Sequence, residues 1–478
     1  MIFAGTAKID ITPLGSVWMD GMIRTHPSCG IHDPLFARAL VLANSADLAQ
    51  AFAIVSVDVC ALAANDTHAA RQAAAAKTGI PAAHIIIAAT HSHAGPATFG
   101  FFNPREASYG QELVSKIAAV IEQAVHHLQP AAVGYAAGTE ETISHYRRLL
   151  ADDGHVVMNW ESYPPEHIVG PLGVTDPELG VLKVTAAENS QAVMALLFNH
   201  AGHPNVLSGD NYLLSAEYPG VAERLLEREF GGTAIFVNGA QGDIDIDGLR
   251  DRDWEGMERL GNALAQAVAE TARAIVPSQA TIVRGASVKY TVPSRKITPA
   301  EWQWAEQVLR ETGGVIHPLA DGVGDDYKAV LYRQLRQAEG RDIEVEQNCF
   351  AIGDCAFISF PGELYTEIGQ RIKAESPFQY TYLVGLANGY IDYIPTRQAI
   401  GEGGYAEDTR RVDAAAEDII FEQSQALLHS VYTGRKSNEC IRSQNRKLSL
   451  RAFFAKQSLT HGRDCFVANY APRNDCLV

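Results

Sequence analysis

The sequence predicts an α/β fold, and three observations carry that prediction. Short apolar runs rich in Ile, Val and Ala recur along the chain, and Ile85-Ile86-Ile87-Ala88-Ala89 is the clearest of them. Stretches of helical length alternate with these runs, so that strand–helix–strand units form. The apolar runs also end repeatedly in loops that combine Gly or Pro with His, Asp, Asn or Glu. Such endings are expected where ligands bind at the carboxyl ends of strands.

The bulk composition sets the limits. The chain has 478 residues, 47% hydrophobic and 20% charged, which suits one large domain or two to three smaller ones. A formal charge of −17 argues against nucleic acid or an anionic membrane as the main partner and leaves a small molecule as the expected one. The seven cysteines, Cys29, Cys60, Cys349, Cys355, Cys440, Cys465 and Cys476, contain no Cys-x-x-Cys pair. Neither a disulfide framework nor a cysteine zinc site is indicated, and reduced thiols in the cytoplasm are the plain expectation. The start, Met1 to Lys8, does not read as a signal peptide, and no apolar run approaches the roughly 18 residues of a membrane helix. Stable membrane insertion is therefore not expected.

Taken in order, residues 1 to 60 read as strands and loops. Ala51 to Asp58 reads as a buried strand ending in Asp58, a carboxylate suited to hold a metal histidine from behind or to cap the next helix. Asn65 to Lys77 is an alanine-rich helix closed by Gly79 and Pro81. The Ile85 strand then runs into Thr90-His91-Ser92-His93-Ala94-Gly95-Pro96. A histidine at a strand end is most often only hydrogen-bonded. Here two stand at i and i+2, and on an extended segment they point to the same side and into one cleft. Neutral imidazole is the commonest metal ligand.

Tyr109 to His127 is a second long helix, and strands follow between 131 and 160. Those strands carry Arg147-Arg148, a solvated pair in most settings and a clamp for a carbonyl or carboxylate in a cleft. Gln191 to Asn199 is a further strand, ending in His200-Ala201-Gly202-His203-Pro204, and a helix to about Phe230 comes next. Thr233 to Val237 enters a glycine-rich loop, Asn238-Gly239-Ala240-Gln241-Gly242-Asp243, with Asp245 and Asp247 alternating beyond it. The loop lacks the rest of an EF-hand. A long helix covers 254 to 276, and 277 to 345 holds a strand and two helices. Strands at Cys355 and Tyr380 lead into Pro361-Gly362-Glu363 and Asn388-Gly389-Tyr390-Ile391-Asp392-Tyr393, and Arg410 to Tyr432 reads as a terminal helix. Residues 434 to 478 form a basic tail with weak periodicity, expected to be disordered.

Five of these motifs, in this order, resemble the neutral/alkaline non-lysosomal ceramidase family over about residues 1 to 433. They are the Thr90–Pro96 run, His203-Pro204, the Asn238–Asp243 loop, Pro361-Gly362-Glu363 and Asn388–Tyr393. The resemblance implies one large catalytic domain of sheets flanked by helices, without the family's C-terminal β-sandwich domain. It implies zinc held by His91, His203, Glu363 and Tyr393. It also implies that His93, Arg147 and Tyr405 surround the scissile amide. Two imidazoles, a carboxylate and a phenolate leave zinc a position for water, whose pKa falls toward about 7. The same donors also suit iron or manganese.

The implied reaction is hydrolysis of an N-acyl amide by zinc-bound hydroxide, with His93, Arg147 and Tyr405 donating to the developing oxyanion. One departure concerns the glycine-rich loop. The family carries a serine two residues past its Gly-Asp, and here that position is Asp245. Asp243 or Asp245 is a candidate general base or polar substrate contact. With no β-sandwich domain and no secretion signal expected, the anticipated substrate is soluble and is not membrane ceramide. Ester, lactone or glycoside hydrolysis at the same site is the second expectation, and a non-catalytic ligand-binding protein is the third.

Overall fold

The computed structural model describes residues 1–247, 250–319 and 322–432. The tail expected over 434–478 lies outside the described residues. Eight strands make the first sheet: Ile2–Asp10 (β1), Phe36–Ala43 (β2), Phe52–Val57 (β3), Ile85–Ala89 (β4), Gln129–Thr139 (β5), Glu178–Ala186 (β6), Asn189–His200 (β7) and Thr233–Asn238 (β8). Their spatial order is β8-β7-β6-β5-β1-β2-β3-β4. The six inner strands pair antiparallel, while β3/β4 and β7/β8 run parallel at the two edges. Each parallel pair needs a crossover, and the helices Ala64–Thr78 (α1) and Glu217–Phe230 (α3) supply them. The helices Ala107–His126 (α2) and Trp254–Ala274 (α4) complete that layer.

A second sheet lies on the opposite face. It comprises Val283–Val292 (β9), Ile343–Ile352 (β10), Cys355–Ser359 (β11) and Tyr380–Val384 (β12), in that order, with β11 and β12 parallel. The helical hairpin Pro299–Thr312 (α5) and Asp325–Ala338 (α6) branches from it around a small core of its own. Thr298 starts α5 with a capping box to Glu301. Thr366–Glu375 (α7) and Ala416–Val431 (α10) cover the outer face of the second sheet. Two short helices, Arg397–Glu402 (α8) and Tyr405–Thr409 (α9), stand between them in the chain.

The result is four layers, helix–sheet–sheet–helix, and the layering explains the unbroken apolar runs. Along β4, Ile85, Ile87 and Ala89 pack among α1 and α2 with Ala70, Leu113 and Ile117. Ile86 and Ala88 face the other way, among Phe350, Phe357 and Val384 of the second sheet. A strand covered on both sides has no solvent face to make polar, so the run reads continuous rather than alternating. The expected α/β class, with sheets flanked by helices, is present. The expected terminal helix starts later, at Ala416. Before it, Arg411 O accepts the Arg295 N–H at 2.8 Å and Val412 bridges Ser294, so this stretch extends the edge of β9 instead of coiling.

Candidate metal centre

The three parallel pairs, β3/β4, β7/β8 and β11/β12, direct their carboxyl ends to one place. His91 and His93 follow β4, His203 follows β7, the Gln241–Asp245 loop follows β8, Glu363 follows β11 and Tyr393 follows β12. Backbone bonds stitch the two sheets together there. Ala89 N–H donates to Leu386 O at 3.1 Å, Asn388 N–H to Ile87 O at 2.8 Å and Gly385 N–H to Asn238 O at 2.9 Å. Asn199 Nδ2 reaches Leu383 O at 2.7 Å.

His91 and His93 do meet, but not through strand periodicity. The strand stops at Ala89, and His91 has a left-handed backbone with φ of 75°. Its N–H donates to Val59 O at 3.0 Å, while that of His93 donates to Pro204 O at 3.0 Å. The rings stand edge to face with centroids 4.7 Å apart, and the His203 ring lies 4.6 Å from His91 and 5.0 Å from His93. The Cys60 carbonyl, 2.8 Å from His91 Nδ1, accepts the ring N–H and leaves the Nε2 lone pair turned inward.

Asp58, expected as a support for a metal histidine, plays a different part. Its Oδ2 accepts from Arg38 Nη1 at 2.8 Å and from the Phe36 N–H at 2.8 Å. Arg38 also pairs with Glu223 at 2.9 Å, so the Asp58 carboxylate belongs to a buried ion cluster with Arg38 and Glu223.

Glu363 presents Oε2 at 3.6 Å from His91 Nε2, and its Oε1 accepts the Tyr390 hydroxyl at 2.6 Å. The short pairing Glu363–Leu364 with Tyr393–Ile394 sets Glu363 directly beside Tyr393. His91, His203 and Glu363 offer ligand atoms that all lie within 4.8 Å of one another, and Cys60, His91 and His93 form a second such triple. All of these side chains are buried.

The electrostatics fit a cation. Burial first, then the nearby Arg147 charge, holds His91 down at about 4, against the pull of the Cys60 carbonyl. Burial holds His93 and His203 well below their ordinary value, and the neighbouring rings add to this. Three neutral imidazoles therefore face one another, with His91 Nε2 and His93 Nε2 only 3.2 Å apart. Burial raises Glu363 to about 7, opposed by Arg147 and the Tyr390 hydrogen bond, and its Oε2 makes no hydrogen bond. An unpaired buried carboxylate oxygen beside inward-facing imidazole lone pairs is costly without a positive charge. The donor set therefore fits a divalent metal of the zinc type.

Arg147 lies beside this cluster. Its guanidinium is 4.9 Å from the Tyr393 ring centroid and 5.6 Å from that of Tyr405, and Nη2 donates to Gly242 O at 2.6 Å. Gly242 cannot carry a side chain, because a Cβ there would stand 2.4 Å from Glu363 O. Arg148 points elsewhere and pairs with Glu402 at 2.9 Å and Glu407 at 3.0 Å. The Tyr393 and Tyr405 rings are 5.7 Å apart, and burial raises both phenols.

The structure does not bring Asp243 into the cluster, since its carboxylate accepts the Thr366 N–H at 2.9 Å and the Thr366 hydroxyl at 2.6 Å. Asp245 is one layer back. Its charge acts on His91, Arg147 and Glu363, and its Oδ2 lies 3.7 Å from Arg252 Nη2.

Four supporting residues escaped the sequence reading. Tyr390 belongs to a motif already singled out, where only its second tyrosine was chosen. Arg24 Nη2 donates to His93 O at 2.9 Å. Gly21, at φ of 90°, leaves room for His93, whose Cγ would lie 2.5 Å from a Cβ there. Glu217 takes the Val206 N–H at 3.1 Å and the Leu207 N–H at 3.2 Å, which fastens the loop behind His203. No local signal marks the other three, because each acts on a partner distant in sequence or on a backbone group.

A four-layer α/β molecule whose strand ends gather two histidines and a glutamate defines a class: an α/β protein with a candidate metal centre at converging strand ends. The family described as neutral/alkaline non-lysosomal ceramidase, N-terminal, matches residues 3–246. The chain belongs to that family, and membership implies an amide hydrolase. Among solved structures, neutral ceramidase from Pseudomonas aeruginosa superposes with a TM-score of 0.67 at 19% identity, over 91% of this chain and 76% of that one. A ceramidase complexed with C2 gives 0.68 at 18% identity, over 91% and 77%. At that identity the likeness establishes the fold. Among the described residues no helix is long and apolar enough to cross a membrane.

Proposed function

We propose that the protein is a zinc-dependent hydrolase of an N-acyl amide bond in a soluble substrate other than ceramide. The observation that carries this reading is the convergence of His91, His203 and Glu363, with ligand atoms within 4.8 Å of one another, beside Tyr393 and under Arg147. His91, His203, Glu363 and Tyr393 would hold the metal. Zinc, when bound, supplies a Lewis acid and makes hydroxide available near neutral pH. Arg147 stays charged and donates to the carbonyl oxygen as it gains negative charge. The Tyr405 phenol keeps its proton and donates to the same oxygen. His93, neutral and adjacent to His91, accepts a proton from water and returns it to the leaving nitrogen. The C–N bond breaks, water oxygen joins the carbonyl carbon, and a carboxylic acid and an amine leave.

The cavity against the metal side is small, about 30 Å³, and is walled by Phe101, Phe102, Tyr327 and Tyr390. That aromatic wall supports an apolar acyl group on this side. The test is hydrolysis by chelated and zinc-reconstituted protein of matched N-acyl, ester and glycoside substrates, with a ceramide included. Zinc-restored cleavage of the soluble N-acyl compounds is the expected result. Preference for the esters or glycosides would replace the amide reading, and preference for ceramide would replace the soluble one.

A further inference from the structure

A second, much larger cavity opens on the far side of Tyr405. Its volume is about 700 Å³, and Tyr405 lines both spaces. If the scissile carbonyl lies between Arg147 and Tyr405, the substrate reaches from a narrow aromatic space on one side into this broad one on the other. We infer that the broad cavity holds the amine half of the substrate and that this half is a polyhydroxylated amine of amino-sugar type carrying a short N-acyl group. The inference rests on the amide-hydrolase reading.

The cavity wall carries the argument. Trp160 stands edge to face with Tyr405, with centroids 5.6 Å apart at 86°, carries the Arg147 guanidinium 5.6 Å from its ring centroid, and lines the cavity next to the reaction centre. Around it Lys328 pairs with Asp408 at 2.9 Å, Glu402 pairs at 2.9 Å with Arg148 behind the wall, and Glu161 and His155 complete the polar lining. Paired acids and bases keep spare donors and acceptors without a large uncompensated charge. A ligand rich in hydroxyls both donates and accepts and satisfies such a wall. A phosphate would meet Glu161, Glu402 and Asp408 against the single lysine of the wall. An alkyl chain would strip water from the ion pairs and return nothing. Gly403 and Gly404 line the same cavity and bring unshielded backbone to the ligand. A space of this size suits a ligand of one or two sugar rings, since small-molecule sites run to roughly 300–1,000 Å³. In the reaction the amide C–N bond is cleaved by water, releasing a short carboxylic acid and the free amino polyol, with the proton passing to the leaving nitrogen.

The test uses the full chain. The zinc-reconstituted protein is given N-acetylglucosamine, N-acetylputrescine, a short-chain ceramide and 4-nitroacetanilide as a small amide control. N-acetylglucosamine should give a kcat/KM about tenfold or more above N-acetylputrescine and the ceramide. Trp160→Ala and Lys328→Ala should each raise its KM by about tenfold, the worth of one stacked ring or hydrogen bond. Separately, glucosamine should quench the tryptophan fluorescence of metal-free protein, and Trp160→Phe should abolish the quench.

Cleavage of amides with the diamine or the ceramide preferred would overturn the inference and leave the amide reading standing. So would an unchanged KM in both variants. If no amide is cleaved, the hydrolase reading fails by itself. The fluorescence titration then decides the polyol site, and an absent quench, or one that Trp160→Phe leaves intact, removes it.

Discussion

His91 gives up ordinary backbone geometry to do its work. A left-handed φ of 75° on a side chain with a Cβ is costly, of order 1–3 kcal/mol, and persists where surrounding contacts over-determine it. The contacts here are the Val59 and Cys60 carbonyls. Replacing a ligand should cost metal and activity together: His203→Ala and Glu363→Gln should each lower zinc affinity by at least about 100-fold, the upper range for losing even a ligand's hydrogen-bond partner. Equilibrium dialysis measures this. Gly21→Ala should retain zinc and lose turnover, because the added methyl drives into His93, which the proposed chemistry uses to move a proton; steady-state kinetics beside metal content separates the two. Metal-free protein should also weaken in mild acid. Its histidines are buried neutral, His91 titrating at about 4, whereas in the unfolded chain they bind protons near 6.5. Between those values the unfolded state holds more protons, so stability falls as pH falls. Thermal melts of chelated protein from pH 7.5 to 5 should show this slope, and a shallower one in His93→Gln. At this scale the sequence was most legible. The motif resemblance selected His91, His93, His203, Arg147, Glu363, Tyr393 and Tyr405, which the fold gathers. Asp243 was selected from its loop alone, where its bonds to Thr366, far along the chain, could not be read.

The loops that carry these side chains depend on backbone held in unusual shapes. Among the described residues five non-glycine positions have left-handed φ: His91, Glu217, Leu386, Asn388 and Asp392. Every one lies in, or braces, a loop entering the centre. Glu217, the first residue of α3, is the clearest brace, since its buried carboxyl faces the Val206 and Leu207 N–H groups. Burial raises it to about 8, against those two bonds. From its unfolded value near 4.3 up to about 8 the folded state holds the extra proton, so this residue's contribution to stability declines as pH rises through that window. Glu217→Gln, which copies the neutral form, should therefore gain on the wild type at pH 9 relative to pH 5 in urea titrations. A constant difference between the two pH values would contradict this account of the brace. Helices and strands were largely legible from apolar periodicity and glycine stops, as at Gly79. The brace was not, because a glutamate at a helix start looks like any first-turn acid. Nor was the extended stretch before α10, which a local reading assigns to the helix.

Two sheets packed face to face give the centre its rigidity, because β4 and β8 belong to one and the Glu363 and Tyr393 loops leave the other. Phe357 sits between the sheets, stacked on Phe350 at 5.1 Å. Phe357→Ala should cost about 3–5 kcal/mol of stability and loosen the centre from a distance, which calorimetry with and without zinc would register. The α/β class was legible from the sequence, but the face-to-face pairing of sheets was not. An apolar run covered by a helix on one side and a sheet on the other reads the same as one covered by helices on both. The central claim remains that strand ends from both sheets hold one metal that activity requires. Elemental analysis of purified wild type and His203→Ala, alongside zinc-restored amide hydrolysis by each, tests it most directly. About one zinc per chain, lost with activity in the variant, is the predicted result. A His203→Ala protein that keeps both its zinc and its turnover would contradict the account.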